Sequence, residues 1–270
     1  LVVTLFAPAV LACGAPRNRS SRSAMIEFSV VDWAAWAPGL ATRSAWQEWA
    51  QAPWLPEGED TPGLPEVPAM QRRRIERLGR MAIQAACWCE AGEGADSRVP
   101  LVFASRHGDV ARSMELLAAL VAEEALSPTT FGLSVHNAIG ALYSITRGHR
   151  GNNLALAAGK ATAEAACLEA AGLLADGAEE VRIVVYDPPL PALYAEFIDE
   201  PAPFHAWCWR VRRSESPGVR LQLGWQATGQ ADDPPGLLPH ALDLQRFLLS
   251  AQPSCERVID GQRWTWKRGC

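Results

Sequence analysis

GNNLALAAGKATAEAACLEAAGLLADGAEEVRIVVYD, residues 151–187, decides how the chain is read. A Gly-Asn-Asn turn opens it. LALAAG follows as a short apolar strand. ATAEAACLEAAGLLADG reads as an alanine-rich helix with Gly177 past its end, where a glycine commonly closes a helix. VRIVVYD (181–187) is β-branched and apolar, the pattern of a buried strand. Strand and helix in alternation are an α/β signature. Lys160 stands at the junction of the first strand and the helix, where a reactive side chain would be presented.

Upstream, the same alternation continues. SPTTFGLSVHNAIGALYSITRG (127–148) predicts one helix beginning near Thr130 or Ser134. VARSMELLAALVAEEAL predicts an amphipathic helix that Ser127-Pro128 ends, since the residue before proline is pushed out of the helical region. VPLVFASRHG (99–108) is a compact apolar strand closed by glycine, and residues 92–97 read as a turn. AMQRRRIERLGRMAIQAACWC predicts a helix from Ala69, with Ile75, Leu78, Met81, Ala82 and Ala85 at helical spacing. Residues 56–68 form a Pro/Gly/acidic loop. Trp33/Trp36 and Trp46/Trp49 are each three apart, which predicts two pairs on helix faces, packed against the body of the domain.

Downstream the pattern changes. HAWCWRVRR (205–213) and VRLQLGWQA (219–227) alternate, and Ser216-Pro217-Gly218 between them predicts a hairpin. PHALDLQRFLLSA predicts a helix. RVIDGQRWTWKR predicts a strand–turn–strand around Asp260-Gly261.

Bulk properties exclude several classes. The chain has 270 residues, net charge -5 and no basic stripe of the kind nucleic acid requires. Seven cysteines with irregular spacing make neither a disulfide framework nor a zinc pair, so no metal is expected and the cysteines are read as reduced and cytoplasmic. Residues 1–24 are apolar at first but lack a basic leader. Met25 opens what reads as the domain, so 1–24 are taken as an upstream extension, with a signal-like segment as the alternative. No later stretch has the roughly 18 uncharged apolar residues of a membrane span, and no stable membrane insertion is expected.

SPTTFGLSVHNAIGALYSITRGHRGNNLALAAGKATAEAA resembles the nucleophile half of the beta-ketoacyl synthases. There a Ser-Pro-x-x-Phe segment leads into a helix with Asn, then a Gly-Pro-Asn-type turn, a strand ending in the nucleophilic Cys, and a helix of small residues. PAMQRRRIERLGRMAIQAA and VPLVFASRHGD resemble the helix and strand end that precede it. The resemblance spans roughly residues 26–200 and is strongest over 69–200. It is closer still to the short, chain-length-factor-like ketosynthase relatives of aryl polyene and xanthomonadin-type pigment clusters. It implies one ketosynthase-like domain over 25–270. The fold implied is an α/β thiolase-like N-terminal half, a mixed sheet flanked by helices, with a β-rich C-terminal addition. Residues 205–270 would cover the edge left by an absent second half.

Two departures from the family bear on function. The nucleophilic Cys falls on Lys160, and the proline of the turn falls on Asn152. A thiolate attacks a thioester and passes the acyl group on, whereas an acylated amine is a stable amide and a dead end. Cys167 lies two helical turns away. The family's two catalytic histidines are also missing: His205 and His240 lie in no such motif, and His136 is no counterpart. No catalytic residue and no cofactor are therefore assigned.

The resemblance implies a non-catalytic subunit that pairs with an active ketosynthase and meets an acyl carrier protein. Interface or tunnel candidates are Met114, Leu117, Phe131, Leu133, His136 and Asn137, with ordinary core packing as the alternative. Arg72, Arg73, Arg74 and Arg77 are carrier-protein contact candidates. Rival readings are a stand-alone acyl- or carrier-protein-binding module and an acyltransferase using a lysine of lowered pKa. AAGKAT is no phosphate-binding loop, because Leu154 and Ala161 stand where that pattern needs Gly and Ser or Thr.

Overall fold

The computed structural model describes residues 24–90 and 98–269; the segment 1–23 and the turn expected at 92–97 lie outside the described residues. Eight strands form one mixed sheet. They are β1 (Ala24–Trp36), β2 (Leu101–Ala104), β3 (Asn153–Leu156), β4 (Val181–Asp187), β5 (His205–Arg212), β6 (Val219–Ala227), β7 (Ser254–Ile259) and β8 (Gln262–Arg268). Their order is β3-β2-β4-β5-β1-β6-β8-β7. The β3-β2-β4 part is parallel and the rest antiparallel.

Helices cover both faces of the sheet. On one side lie α1 (Arg43–Gln51), α7 (Thr162–Ala175) and α8 (His240–Leu249). On the other lie α3 (Arg77–Trp88) and α6 (Ala138–Arg147). β4 feeds both cores by simple alternation: Val181, Ile183 and Val185 face one, Val184 and Tyr186 the other. This is why its sequence is apolar throughout.

Four expectations are corrected. Trp33 and Trp36 do not share a helix face. They lie on β1, where residues three apart point to opposite sides, so Trp36 joins one core and Trp33 packs on the other. Trp46 and Trp49 do share a face of α1, with ring centroids 5.0 Å apart. The helix expected from Ala69 is broken into α2 (Ala69–Arg72) and α3, and a single arginine satisfies the carbonyls of the break: Arg80 donates to those of Ile75 (2.8 Å) and Arg72 (3.2 Å). The helix expected over 127–148 is likewise two: α5 (Pro128–Ser134) and α6, separated by Val135 in an extended conformation.

The fourth correction concerns the hairpin. β5 and β6 do not pair. β1 lies between them and is antiparallel to both. β5 pairs with the C-terminal half of β1 on one side, β6 with the N-terminal half on the other. The 213–218 connection therefore crosses over β1, at the point where the β1–β5 register shifts between Val30 and Asp32. Gly218, at φ +146, makes that crossing possible: a Cβ there would sit 2.4 Å from the Val30 carbonyl oxygen. The β7–β8 hairpin is as expected, its turn held by Asp260 and Gly261 at φ 50 and 71. The C-terminal strands thus continue the same sheet beyond β1.

Gly218→Ala should destabilise the protein by about 2–4 kcal/mol in urea titration, from left-handed strain plus the backbone clash. Gly172→Ala, inside α7 with nothing within 4 Å of the new methyl, should be neutral or stabilising by up to about 1 kcal/mol.

Candidate functional site

β3 ends at Leu156 and α7 starts at Thr162. A sharp turn joins them. Gly159 is left-handed (φ +57), the Ala158 amide donates to the Thr162 hydroxyl (3.0 Å), and that hydroxyl donates to the Gly159 carbonyl (2.6 Å). This strand–turn–helix lifts Lys160 to the N-terminal end of α7. Its ammonium lies 3.1 Å from Asp232 and 3.6 Å from Asp199. Partial burial lowers the pKa of the amine, but the Asp232 hydrogen bond and the charges of Asp199, Asp232 and Asp260 outweigh it and hold it above the ordinary lysine value. Lys160 is an ammonium with no lone pair to offer.

Beside it is a partly open cavity lined by Arg106, Thr162, Asp187 and His205 as well as Lys160, with a volume of about 30 Å³, room for about one water. Asp187 and His205 are cross-strand neighbours at the ends of β4 and β5. Burial pushes the Asp187 carboxyl up to about 7, against hydrogen bonds from the Ser105 hydroxyl and the His107 and Arg106 amides. Burial also pulls His205 down to about 4. Its Nδ1–H donates to the Pro203 carbonyl (3.0 Å), which leaves Nε2 as a buried acceptor with no protein partner among the described residues. Arg106 forks onto Asp199 at 2.7 and 2.8 Å and reaches Glu200 at 3.2 Å.

Beneath the turn is a buried pair that sequence reasoning missed. Glu164, in the first turn of α7, is fully buried. It accepts from His240 Nε2 at 2.5 Å and from the Trp266 indole at 3.0 Å. Burial lowers the His240 pKa, but the charge and hydrogen bond of Glu164, helped by Glu200, overcome this and the opposing field of Arg257, so the pKa is raised. Cys167 is fully buried on α7, and burial holds its thiol well above the ordinary range; it replaces no nucleophile.

None of the six interface candidates lines the cavity. Met114 and Leu117 lie on α4 (Val110–Val121), Phe131 and Leu133 on α5, His136 and Asn137 at the α5–α6 junction. They are not core residues: Phe131 is 62% exposed and Leu117 50%. Leu120 and Val121 add to the same apolar helix, which buries only Arg112. His136 Nε2 lies 3.0 Å from the Leu156 carbonyl of β3. β3 is itself an edge of the sheet.

The arginine candidates divide. Arg72 donates to the Leu64 carbonyl at 3.0 Å; Arg77 donates to that of Gly58 and stacks 3.9 Å over Phe204. Both hold the 56–68 loop. Arg73 and Arg74 are exposed. The free cysteines Cys87, Cys89, Cys167 and Cys208 are buried. No helix among the described residues is long and apolar enough to cross a membrane, and they contain no cluster able to hold a metal ion.

A family model described as beta-ketoacyl synthase, N-terminal domain, matches residues 46–267. No curated protein sequence matches. Among solved structures, a chain of the ketosynthase ApeO in complex with its chain length factor ApeC, from Xenorhabdus doucetiae, is similar at 24% identity and TM-score 0.74, over 90% of this chain and 100% of that one. The ishigamide ketosynthase/chain length factor is similar at 12% identity and TM-score 0.60, over 76% and 68%. A complex of a type II acyl-carrier protein with its hexaketide-bound ketosynthase, AntDE:AntF, is similar at 13% identity and TM-score 0.57, over 77% and 70%.

The raised His240 pKa sets the sign of a pH effect. The imidazolium's stabilisation is fully present below the unfolded histidine pKa of about 6.5 and is lost as pH rises through the folded value. Urea titrations should show that loss in the natural chain and not in His240→Gln. His240→Phe, which strands the Glu164 carboxylate, should cost about 3–5 kcal/mol.

Proposed function

Because this chain belongs to the beta-ketoacyl synthase N-terminal domain family, we propose that it is a non-catalytic, chain-length-factor-like subunit that pairs with an active ketosynthase. The pair makes a polyene or related fatty-acid-type product in the cytoplasm. The observation that carries this reading is Lys160. It stands where the family places its thiolate, on the turn that presents it, and its ammonium is held by Asp232 and Asp199. A condensing enzyme must take an acyl group from a thioester and release it again; an ammonium can do neither step. The same charge speaks against an acyltransferase working through Lys160, which would need a neutral amine.

The pairing surface we assign is the α4–α5 face. Leu117, Leu120 and Val121 of α4 and Phe131 of α5 are exposed and Met114 is half-buried, apolar surface of the kind that marks a protein interface. The β3 edge beside it offers unpaired backbone groups to a neighbouring strand. Phe131, 62% exposed, is the side chain we assign to reach the partner's acyl tunnel. Of the arginines, Arg73 and Arg74 are the carrier-protein contacts, since Arg72 and Arg77 are committed to the 56–68 loop.

The test is co-purification of the tagged full chain with the ketosynthase encoded beside it, followed by malonyl condensation assays on the pair and on each chain alone. A 1:1 complex, with turnover by the pair and none by this chain alone, is expected. Turnover by this chain alone would overturn the reading. Phe131→Asp should weaken pairing at least about tenfold, as for a central aromatic anchor, and Phe131→Ala and Phe131→Trp should shift product length in opposite directions.

A further inference from the structure

The connection from β4 to β5, residues 188–203, forms a strap across the cavity beside Lys160. Pro188, Leu190, Ile198 and Pro201 of the strap line that cavity from above. The strap is held in an unusual way. Among the described residues its backbone–backbone hydrogen bonds are internal, Tyr194 to Pro191 and Ile198 to Ala195, and at its far end the Pro203 carbonyl accepts from His205 Nδ1. Five prolines (Pro188, Pro189, Pro191, Pro201, Pro203) remove further donors. Leu193, Phe197 and Ile198 are 72%, 56% and 47% exposed, so apolar burial anchors it weakly.

What fastens it is charge. Asp199 receives both arms of the Arg106 fork, and Glu200 accepts from Arg106 and, at 3.0 Å, from the backbone amide of His240. Lys160 adds the remaining tie to Asp199, at 3.6 Å. It also reaches Asp232, at 3.1 Å, on the separate connection between β6 and α8. A single ammonium thus joins three segments that come from distant parts of the sequence: the turn before α7, the strap, and the β6–α8 loop.

We propose that Lys160 is a latch, a positioning residue whose ammonium fastens the 188–203 strap and the Asp232 loop to each other and to the N-terminal end of α7, keeping the strap over the cavity there. The position at which the family presents a reactive group is here used to hold the site covered. This goes beyond the subunit reading and does not depend on it, because the latch is a property of this chain without a partner. Arginine can serve the same carboxylates; an apolar side chain of equal length cannot.

Amide hydrogen exchange on the full chain tests it, comparing the natural protein with Lys160→Met, Lys160→Arg and Asp232→Asn. In Lys160→Met the amides of 190–200 and 228–236 should exchange on the order of fivefold faster, the scale of losing partly exposed ion pairs. Those of β4 and β5 should keep their rates. Lys160→Arg should restore slow exchange in the strap. Unchanged exchange over 190–200 in Lys160→Met would overturn the latch, as would equal acceleration in β4 and β5, which would report a general loss of stability. Should Lys160→Met fail to fold, Asp232→Asn decides: it leaves Lys160 and Asp199 in place, and unaltered exchange over 228–236 would overturn the proposal. Failure of co-purification with a ketosynthase would leave these rates untouched, so the two readings are tested separately.

Discussion

Strands β2 and β4 are buried on both faces and leave almost no position free of the core, and this constraint organises the molecule. Every residue of β2 is buried, as are six of the seven in β4. A polar side chain on these strands needs an internal partner, since burying it unpaired costs several kcal/mol. Arg182, the second residue of β4, shows how this is met. Its guanidinium donates to the Tyr143 hydroxyl of α6, that hydroxyl donates to Glu90, and Glu90 accepts a further pair from Arg147. The chain of bonds ties β4 and α6 to the end of α3, so one forced charge becomes a lateral brace. Glu164, His240 and Trp266 do the same on the opposite face for α7, α8 and β8.

The candidate site inherits its character from that frame. The parallel strands end at the same rim, and the turn after β3 rises there. The start of a helix favours negative charge, yet the turn before α7 carries a cation, Lys160. The helix end does not favour it, and carboxylates from two loops supply what the helix cannot. The apolar α4–α5 face is chemically a different matter: α4 buries almost nothing of its own, while the rim holds its charges in ion pairs and hydrogen bonds.

Much of this is legible in the sequence, and the failures have physical causes. VRIVVYD is read correctly because a strand buried on two faces has no alternation to mislead. Lys160 is found because turn, strand and helix follow each other locally. The β5–β6 hairpin is misread because alternation on both sides of Ser-Pro-Gly is the local pattern of a hairpin, while the strand that intervenes lies nearly the whole chain away. Trp33 and Trp36 mislead through spacing: three residues suit a helix face but span both faces of a strand. The two broken helices carry no glycine or proline at their breaks; an arginine satisfies the carbonyls of one, and an extended valine marks the other. Asp199, Asp232 and the Glu164–His240 pair have no local signature, since each partner comes from a different segment and only the fold unites them.

The placement of β1 between β5 and β6 governs the order in which the protein can assemble. β1 is among the first described segments to be synthesised, yet both strands that flank it lie beyond residue 204. A nascent chain must therefore carry a long strand with two open edges and two tryptophans until most of the polypeptide has emerged. Closing loops of that span comes late in folding, and unpaired apolar edges are the surfaces that aggregate in the interval. The sheet cannot be finished from the N-terminus onward: β1 gains its neighbours only once β5 and β6 have emerged, and until then that strand must be shielded by something other than its sheet.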